Sequence, residues 1–140
     1  MRLLALLALL LVSAESFDYR VMLSYYSVPI KNREWSIAVY RKGKKSYIEV
    51  DNYKNRKLIQ RIENDEYVRL LDFLQRKGVW HLKDHYPPSK VNPYHLVEVE
   101  SGGYKNSFKV ESGPLLSGGA SAYREIIRRL ENLARIKLEN

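Results

Sequence analysis

The chain has 140 residues, of which 45% are hydrophobic and 29% charged, and this balance is typical of a folded domain rather than a disordered chain. It contains no cysteine, which excludes disulfide bonds, thiol catalysis and iron–sulfur or zinc–thiolate centres. Its formal net charge of +8 favours anionic partners.

The N-terminal segment has the three-part pattern of a secretory signal. Arg2 precedes an unbroken apolar run over residues 3–12, and small residues follow up to Ala14. As a helix this run would span about 15 Å, roughly half the hydrocarbon core of a bilayer, so it is too short for a transmembrane anchor. We therefore expect residues 1–14 to be a signal peptide cleaved near Ala14. Residues 15–140 would then form a single periplasmic or secreted domain without a transmembrane segment.

The first half of this domain alternates apolar and polar residues, and this period of two predicts β-strands. Four such segments follow one another: SFDYRVMLSYYSV, EWSIAVY, SYIEV and RKLIQRI. Short polar turns separate the later segments, so the sequence predicts an antiparallel meander.

The period then changes to that of an α-helix. Apolar residues fall at helical spacing within NDEYVRLLDFLQRKGVW, namely Tyr67, Leu70, Leu71 and Leu74. Asn64 or Asp65 is the expected N-terminal cap, and Gly78 the expected left-handed stop. The segment YHLVEVESGGYKNSFKV predicts a hairpin with a glycine turn, and an amphipathic helix closes the chain.

The resulting order, ββββ-α-ββ-α, predicts an α+β fold in two layers, with a mostly antiparallel sheet and both helices packed on one of its faces. Because no disulfide stabilises the domain, we expect most of its eleven tyrosines in the core. The exposed side of the sheet should carry alternate strand residues, such as Arg20, Ser36, Ser46 and Glu49.

Nearly all of the net charge lies between residues 31 and 61, where ten basic residues stand against three acidic ones. If the strands of this region are neighbours, their turns bring the cations close together and attract polyanions. The candidate anion-binding residues are Lys31, Arg41, Lys42, Lys44, Lys45, Lys54, Arg56 and Lys57. Tyrosines between them are candidates for stacking on sugars or bases, namely Tyr40, Tyr47 and Tyr53.

The sequence thus predicts an exported binding domain whose partner is an anionic lipid, lipopolysaccharide or an acidic glycan, and export argues against nucleic acid. An alternative remains open, because lysines at turns and edge strands also keep hairpins soluble. On that interpretation the domain is a structural or protein-interaction module without an anion site.

A less favoured alternative is a metal site in the proline-rich loop that precedes the hairpin. His81, Asp84, His85 and His95 lie within fifteen residues, and imidazole and carboxylate ligands suit zinc or copper. Their spacing matches no metal-binding motif, so we predict no metal and no other cofactor. The sequence also has no nucleophile elbow, zinc-protease or phosphate-loop motif, and therefore no residue is assigned a catalytic role.

Overall fold

The computed structural model describes residues 19–27, 32–52, 56–85, 93–111 and 121–139. The strands are β1 Arg20–Ser27, β2 Asn32–Lys42, β3 Lys45–Asn52, β4 Arg56–Ile62, β5 Tyr94–Ser101 and β6 Tyr104–Glu111. The helices are α1 Asn64–Arg76 and α2 Ser121–Glu139. The expected signal peptide, residues 1–14, lies outside the described residues.

All six strands form one sheet in the order β4-β3-β2-β1-β5-β6, and every strand pair is antiparallel. The predicted α+β class and antiparallel sheet are confirmed. The first strand, β1, is central, because β5 pairs with its free edge and not with β4. The sheet therefore ends at β4 on one side and at β6 on the other.

The helices cover one face of the sheet, which we call the inner face, and the hydrophobic core lies between them and the strands. The strands contribute Val21, Leu23, Ile37, Val39, Ile48, Ile62, Val97, Val99, Phe108 and Val110. The helices contribute Tyr67, Leu70 and Leu74 from α1, and Ile126, Ile127, Leu130 and Ala134 from α2. The opposite side of the sheet is called the outer face below.

The expectation of a tyrosine-rich core is wrong. Tyr67 is the only described tyrosine among the buried members of the core cluster, which is otherwise mostly aliphatic. A buried tyrosine needs a partner for its hydroxyl, and Tyr67 has one because its hydroxyl donates a 2.9 Å hydrogen bond to the Tyr19 carbonyl. Most of the other described tyrosines are half-buried.

The expected outward orientation of Ser46 is also wrong, whereas Arg20, Ser36 and Glu49 do lie on the outer face. Ser46 is fully buried on the inner face, because residues two apart in a strand share a face and Ile48 belongs to the core. Ser36 is buried as well, in the central strand β2.

The predicted start of α1 is placed correctly, but the predicted cap is not observed. Glu63 occupies the N-cap position and makes no side-chain capping bond. The Asn64 side chain instead accepts a 3.0 Å hydrogen bond from the Ser46 hydroxyl, which ties the start of α1 to β3. The predicted helix end is confirmed, since Gly78 has φ 74° and the Val79 amide donates to the Leu74 carbonyl at 3.1 Å.

Candidate functional site

Half of the candidate anion-binding residues lie together at the turn between β2 and β3. Lys42 and Lys45 pair across the two strands, and Gly43 and Lys44 form the turn between them. Gly43 has φ 66°, a left-handed conformation that glycine adopts without strain. With Arg41 these lysines form what we call the turn group, defined as Arg41, Lys42, Lys44 and Lys45.

Two other candidates, Arg56 and Lys57, lie at the opposite end of β3. Arg56 pairs with Asn52 where β4 begins, so the length of β3 separates it from the turn group, about 23 Å at ~3.3 Å per residue. The eight candidates therefore do not form one cluster. Lys31 and Lys54 lie outside the described residues.

The tyrosines of β2 and β3 lie beside the turn group. Tyr40 and Tyr47 are opposite each other on the outer face, with ring centroids 5.7 Å apart and an interplanar angle of 30°. They share that face with Lys42 and Lys45, which are two residues further along the same strands. Tyr53, the third predicted aromatic contact, lies outside the described residues.

The environment of Tyr40 keeps its hydroxyl protonated. Burial raises the pKa of this phenol, and the negative charge of Glu49 raises it further, while Arg20 acts in the opposite direction. The Tyr40 hydroxyl is thus a neutral group that both donates and accepts hydrogen bonds.

The strand order places four residues beside Tyr40 and Tyr47 that were not predicted for this site, namely Arg61, Arg20, Glu100 and Lys105. One row crosses the whole outer face, consisting of Arg61, Tyr47, Tyr40, Arg20, Glu100 and Lys105. Arg20 Nη1 lies 3.6 Å from Glu100 Oε1, and Lys105 Nζ lies 4.0 Å from Glu100 Oε2. A cleft of about 340 Å³ opens beside this row, lined by Arg20, Tyr40, Arg41, Lys42, Glu49 and Glu100.

The charges of the turn group are not balanced locally. No ion pair joins Lys42, Lys44 or Lys45 to an acidic side chain in the part of the chain that the structure describes, and all three are exposed. By contrast, the two carboxylates of the cleft already have basic neighbours, since Lys57 Nζ lies 3.7 Å from Glu49 Oε1 and Glu100 contacts two cations as described above.

Arg41 differs from the lysines of the turn group because it lies on the inner face and is half-buried. Its guanidinium carbon is 6.0 Å from the centre of the Tyr67 ring, at the edge of a cation–π contact. Its Nε atom is buried and has no hydrogen-bond partner within the described residues. Arg41 therefore brings an unsatisfied donor to the same end of the sheet as the lysines.

The structure separates the residues of the metal-site alternative. Asp84 Oδ1 accepts a 2.8 Å hydrogen bond from the Lys109 amide, and His85 stacks on Tyr123 with centroids 5.3 Å apart. His95 lies on β5 against aromatic neighbours, and His81 is exposed. Within the described ranges no three histidine or acidic side chains come together in a way that could hold a metal ion.

Comparison with models of known protein families and with curated protein sequences finds no match for this chain. Neither α1 nor any other helix in the described segments combines the length and the apolar character needed to cross a membrane.

Proposed function

We propose that this protein is a non-enzymatic binding domain that recognises an anionic saccharide, such as an acidic glycan or the phosphorylated sugars of lipopolysaccharide. The turn group supplies the positive charge, and Tyr40 and Tyr47 supply the surface on which a sugar ring stacks. The expected exported location is part of this proposal, because envelope and extracellular saccharides are the anions that such a protein would meet.

The observation that carries the proposal is the juxtaposition of a tyrosine pair with lysines that have no acidic partner among the described residues. Lys42 and Lys45 extend from the same face as Tyr40 and Tyr47. A ring of a saccharide has apolar C–H faces that pack on aromatic rings, and its sulfate, phosphate or carboxylate groups accept hydrogen bonds from ammonium groups.

The aromatic pair is what favours a saccharide over a simple anionic lipid surface. A lipid headgroup layer is attracted by the lysines alone, at about 1 kcal/mol for each cation near the surface. A sugar ring would gain additional contact with the tyrosines and with the neutral Tyr40 hydroxyl beside them.

The test is a binding panel in which the purified protein meets lipopolysaccharide, a sulfated oligosaccharide, its unsulfated analogue, phosphatidylglycerol vesicles and single-stranded DNA. We expect binding to the first two that persists at 0.15 M salt, where charges are screened beyond about 8 Å. Lipopolysaccharide and the sulfated oligosaccharide differ in the source of their anionic groups, so their relative affinities identify which kind of saccharide is bound.

Charge reversal locates the site. The double change Lys42→Glu and Lys45→Glu removes two attractive contacts of about 1 kcal/mol each and should weaken binding by at least about 30-fold. The control is Arg69→Glu with Lys83→Glu, which makes the same change of net charge at two exposed positions on α1 and the segment after it. Equal loss in both double variants would mean that binding follows net charge alone, and the proposal would fail.

The tyrosines have a separate test. Tyr47→Leu keeps an apolar side chain in β3 and removes the ring, and we expect about tenfold weaker saccharide binding from the lost stacking. Vesicle binding should not change in this variant. If saccharide and vesicle binding respond alike to Tyr47→Leu, the aromatic part of the proposal is wrong.

A further inference from the structure

The two edges of the sheet differ in whether other described segments of the chain form hydrogen bonds with them. The edge at β6 is covered by the segment that follows α1: the His85 amide donates to the Lys109 carbonyl at 2.7 Å, and the Glu111 amide donates to the His85 carbonyl at 2.9 Å. The Asp84 carboxylate accepts from the Lys109 amide at 2.8 Å. These bonds satisfy main-chain groups that β6 would otherwise leave without partners.

The edge at β4 has no such cover from the described residues. β3 pairs with one side of Arg56–Ile62, and no main-chain hydrogen bond from the described residues reaches the other side. In an antiparallel pair, alternate residues of an edge strand turn their N–H and C=O groups away from the neighbouring strand. β4 therefore offers a row of main-chain donors and acceptors about 20 Å long, at ~3.3 Å per residue.

The side chains of β4 on the outer face are two cations on either side of an exposed apolar residue. Lys57, Ile59 and Arg61 follow one another on that face, two residues apart. Ile59 is 55% exposed, which is unusual for a large apolar side chain in a strand. Arg61 is exposed and forms no ion pair with a described acidic residue, so its charge is available to a partner.

The charge pattern distinguishes between two occupants of this edge. In a pair of β4 strands from two copies, arranged antiparallel about Ile59, Lys57 of each copy would lie opposite Arg61 of the other. Like charges directly opposite each other destabilise a strand pair. An extended segment that carries acidic residues two positions before and after an apolar residue would instead bring one carboxylate to Arg61 and cover Ile59. Its second carboxylate would reach Lys57, whose Nζ already lies 3.7 Å from Glu49 Oε1, and would share that cation.

We propose that the outer edge of β4 binds an extended acidic segment of a partner polypeptide, which adds to the sheet as a seventh strand. Main-chain pairing supplies the affinity and side-chain complementarity the specificity, as in other cases of strand addition. This site uses Arg56–Ile62 and not the turn group, so it is independent of the saccharide-binding proposal.

The experiment titrates the ¹⁵N-labelled protein with a seven-residue peptide of the pattern Thr-Glu-Thr-Val-Thr-Glu-Thr and follows amide chemical shifts and hydrogen exchange. We expect shifts and slowed exchange concentrated in β4. Two further peptides carry N-methyl groups either at the odd-numbered or at the even-numbered residues. Only one of the two sets of amides can face β4, so one methylated peptide should bind at least tenfold more weakly while the other binds like the parent.

Protein variants provide the matched controls. Lys57→Glu with Arg61→Glu should abolish binding of the acidic peptide and create binding of the same peptide with lysines in place of its glutamates. Lys42→Glu with Lys45→Glu, in the turn group, should leave peptide binding unchanged. This comparison separates the β4 site from the saccharide site, because Lys42→Glu with Lys45→Glu should weaken saccharide binding but not peptide binding.

Several results would overturn the proposal. They are the absence of peptide binding, shifts centred on the turn group, equal sensitivity to both methylated peptides, and dimerisation of the free protein through β4. The first would mean that the cations of β4 only prevent edge-to-edge association, and the last that a second copy is the occupant.

Discussion

Protonation of His95 should make the stability of the protein depend on pH in the acidic range. The imidazole lies on the inner face of β5, with its centroid 5.2 Å from that of Tyr25 and 5.8 Å from that of Trp35. Burial lowers its pKa from 6.5 to about 4, because the imidazolium form would lose its hydration there. The unfolded chain, with the ordinary pKa, therefore takes up a proton at a higher pH than the folded protein does.

The sign and size of the effect follow from this difference. Because the folded-state pKa is the lower one, the unfolded state binds more protons as the pH falls from 6.5 to 4, and stability is lost over that window. Linkage with these two pKa values gives a loss of about 2 kcal/mol at pH 5 and about 3 kcal/mol at pH 4, relative to neutral pH.

The assay is urea unfolding of the wild type and of His95→Phe at pH 7, 5 and 4. Phenylalanine keeps an aromatic ring beside Tyr25 and Trp35 but cannot be protonated, so the variant should not show the loss attributed to the imidazole. His81→Gln, in which His95 is intact, is the control and should follow the wild type. If wild type and His95→Phe lose stability in parallel, protonation of His95 is not the cause of the loss.

Three further predictions concern the elements that hold the fold. Gly78→Ala places a side chain at φ 74° and should lower the free energy of unfolding by about 1–2 kcal/mol in urea titrations. The cost comes from the backbone conformation alone, because no atom lies close enough to clash with the added methyl group. An unchanged urea midpoint would contradict this prediction. Leu70→Ala, at a fully buried position of α1, should cost about 2–5 kcal/mol, whereas Val68→Ala, 56% exposed on the same helix, should cost less than about 0.5 kcal/mol. The Asn106 side chain donates hydrogen bonds to two carbonyls of the segment after α1, at 2.8 and 3.1 Å. Asn106→Leu should therefore lower the free energy of unfolding by about 1–3 kcal/mol and speed hydrogen exchange at the edge of β6 that this segment covers. Unaltered exchange there would show that these hydrogen bonds do not hold the segment against β6.

The sequence predicted the elements well, because each carried a periodic pattern. Alternation identified the strands, and helical spacing together with Gly78 identified α1 and its end. The cap of α1 could not be predicted in the same way, because the Asn64 side chain is engaged by Ser46, eighteen residues away. A local motif gives no sign of such a long-range hydrogen bond.

The order of the strands was beyond local patterns for the same reason. The pairing of β1 with β5 places Val21 opposite Val99. Neither segment contains a pattern that indicates which free edge of the meander pairs with the second hairpin. The row on the outer face, from Arg61 to Lys105, exists only because of that order. Residues such as Arg20 and Glu100 could therefore not be assigned to the site beforehand.

The division of the basic residues into two groups could in principle have been predicted from the sequence. Consecutive turns of an antiparallel meander lie at opposite ends of the strand that joins them, so Lys44 and Arg56 had to be far apart once β3 was recognised as a full strand. Composition alone shows that positive charge is in excess between residues 31 and 61, but it does not show how that charge is distributed in space.

The most direct test of the saccharide-binding proposal is to locate the bound saccharide on the protein. We would titrate the ¹⁵N-labelled protein with a sulfated oligosaccharide at 0.15 M salt and map the amide chemical-shift changes. We expect a contiguous set of changes at Tyr40, Lys42, Lys45 and Tyr47, with little change at β4. Changes scattered over all basic surfaces, or confined to residues outside the turn group and its tyrosines, would contradict it.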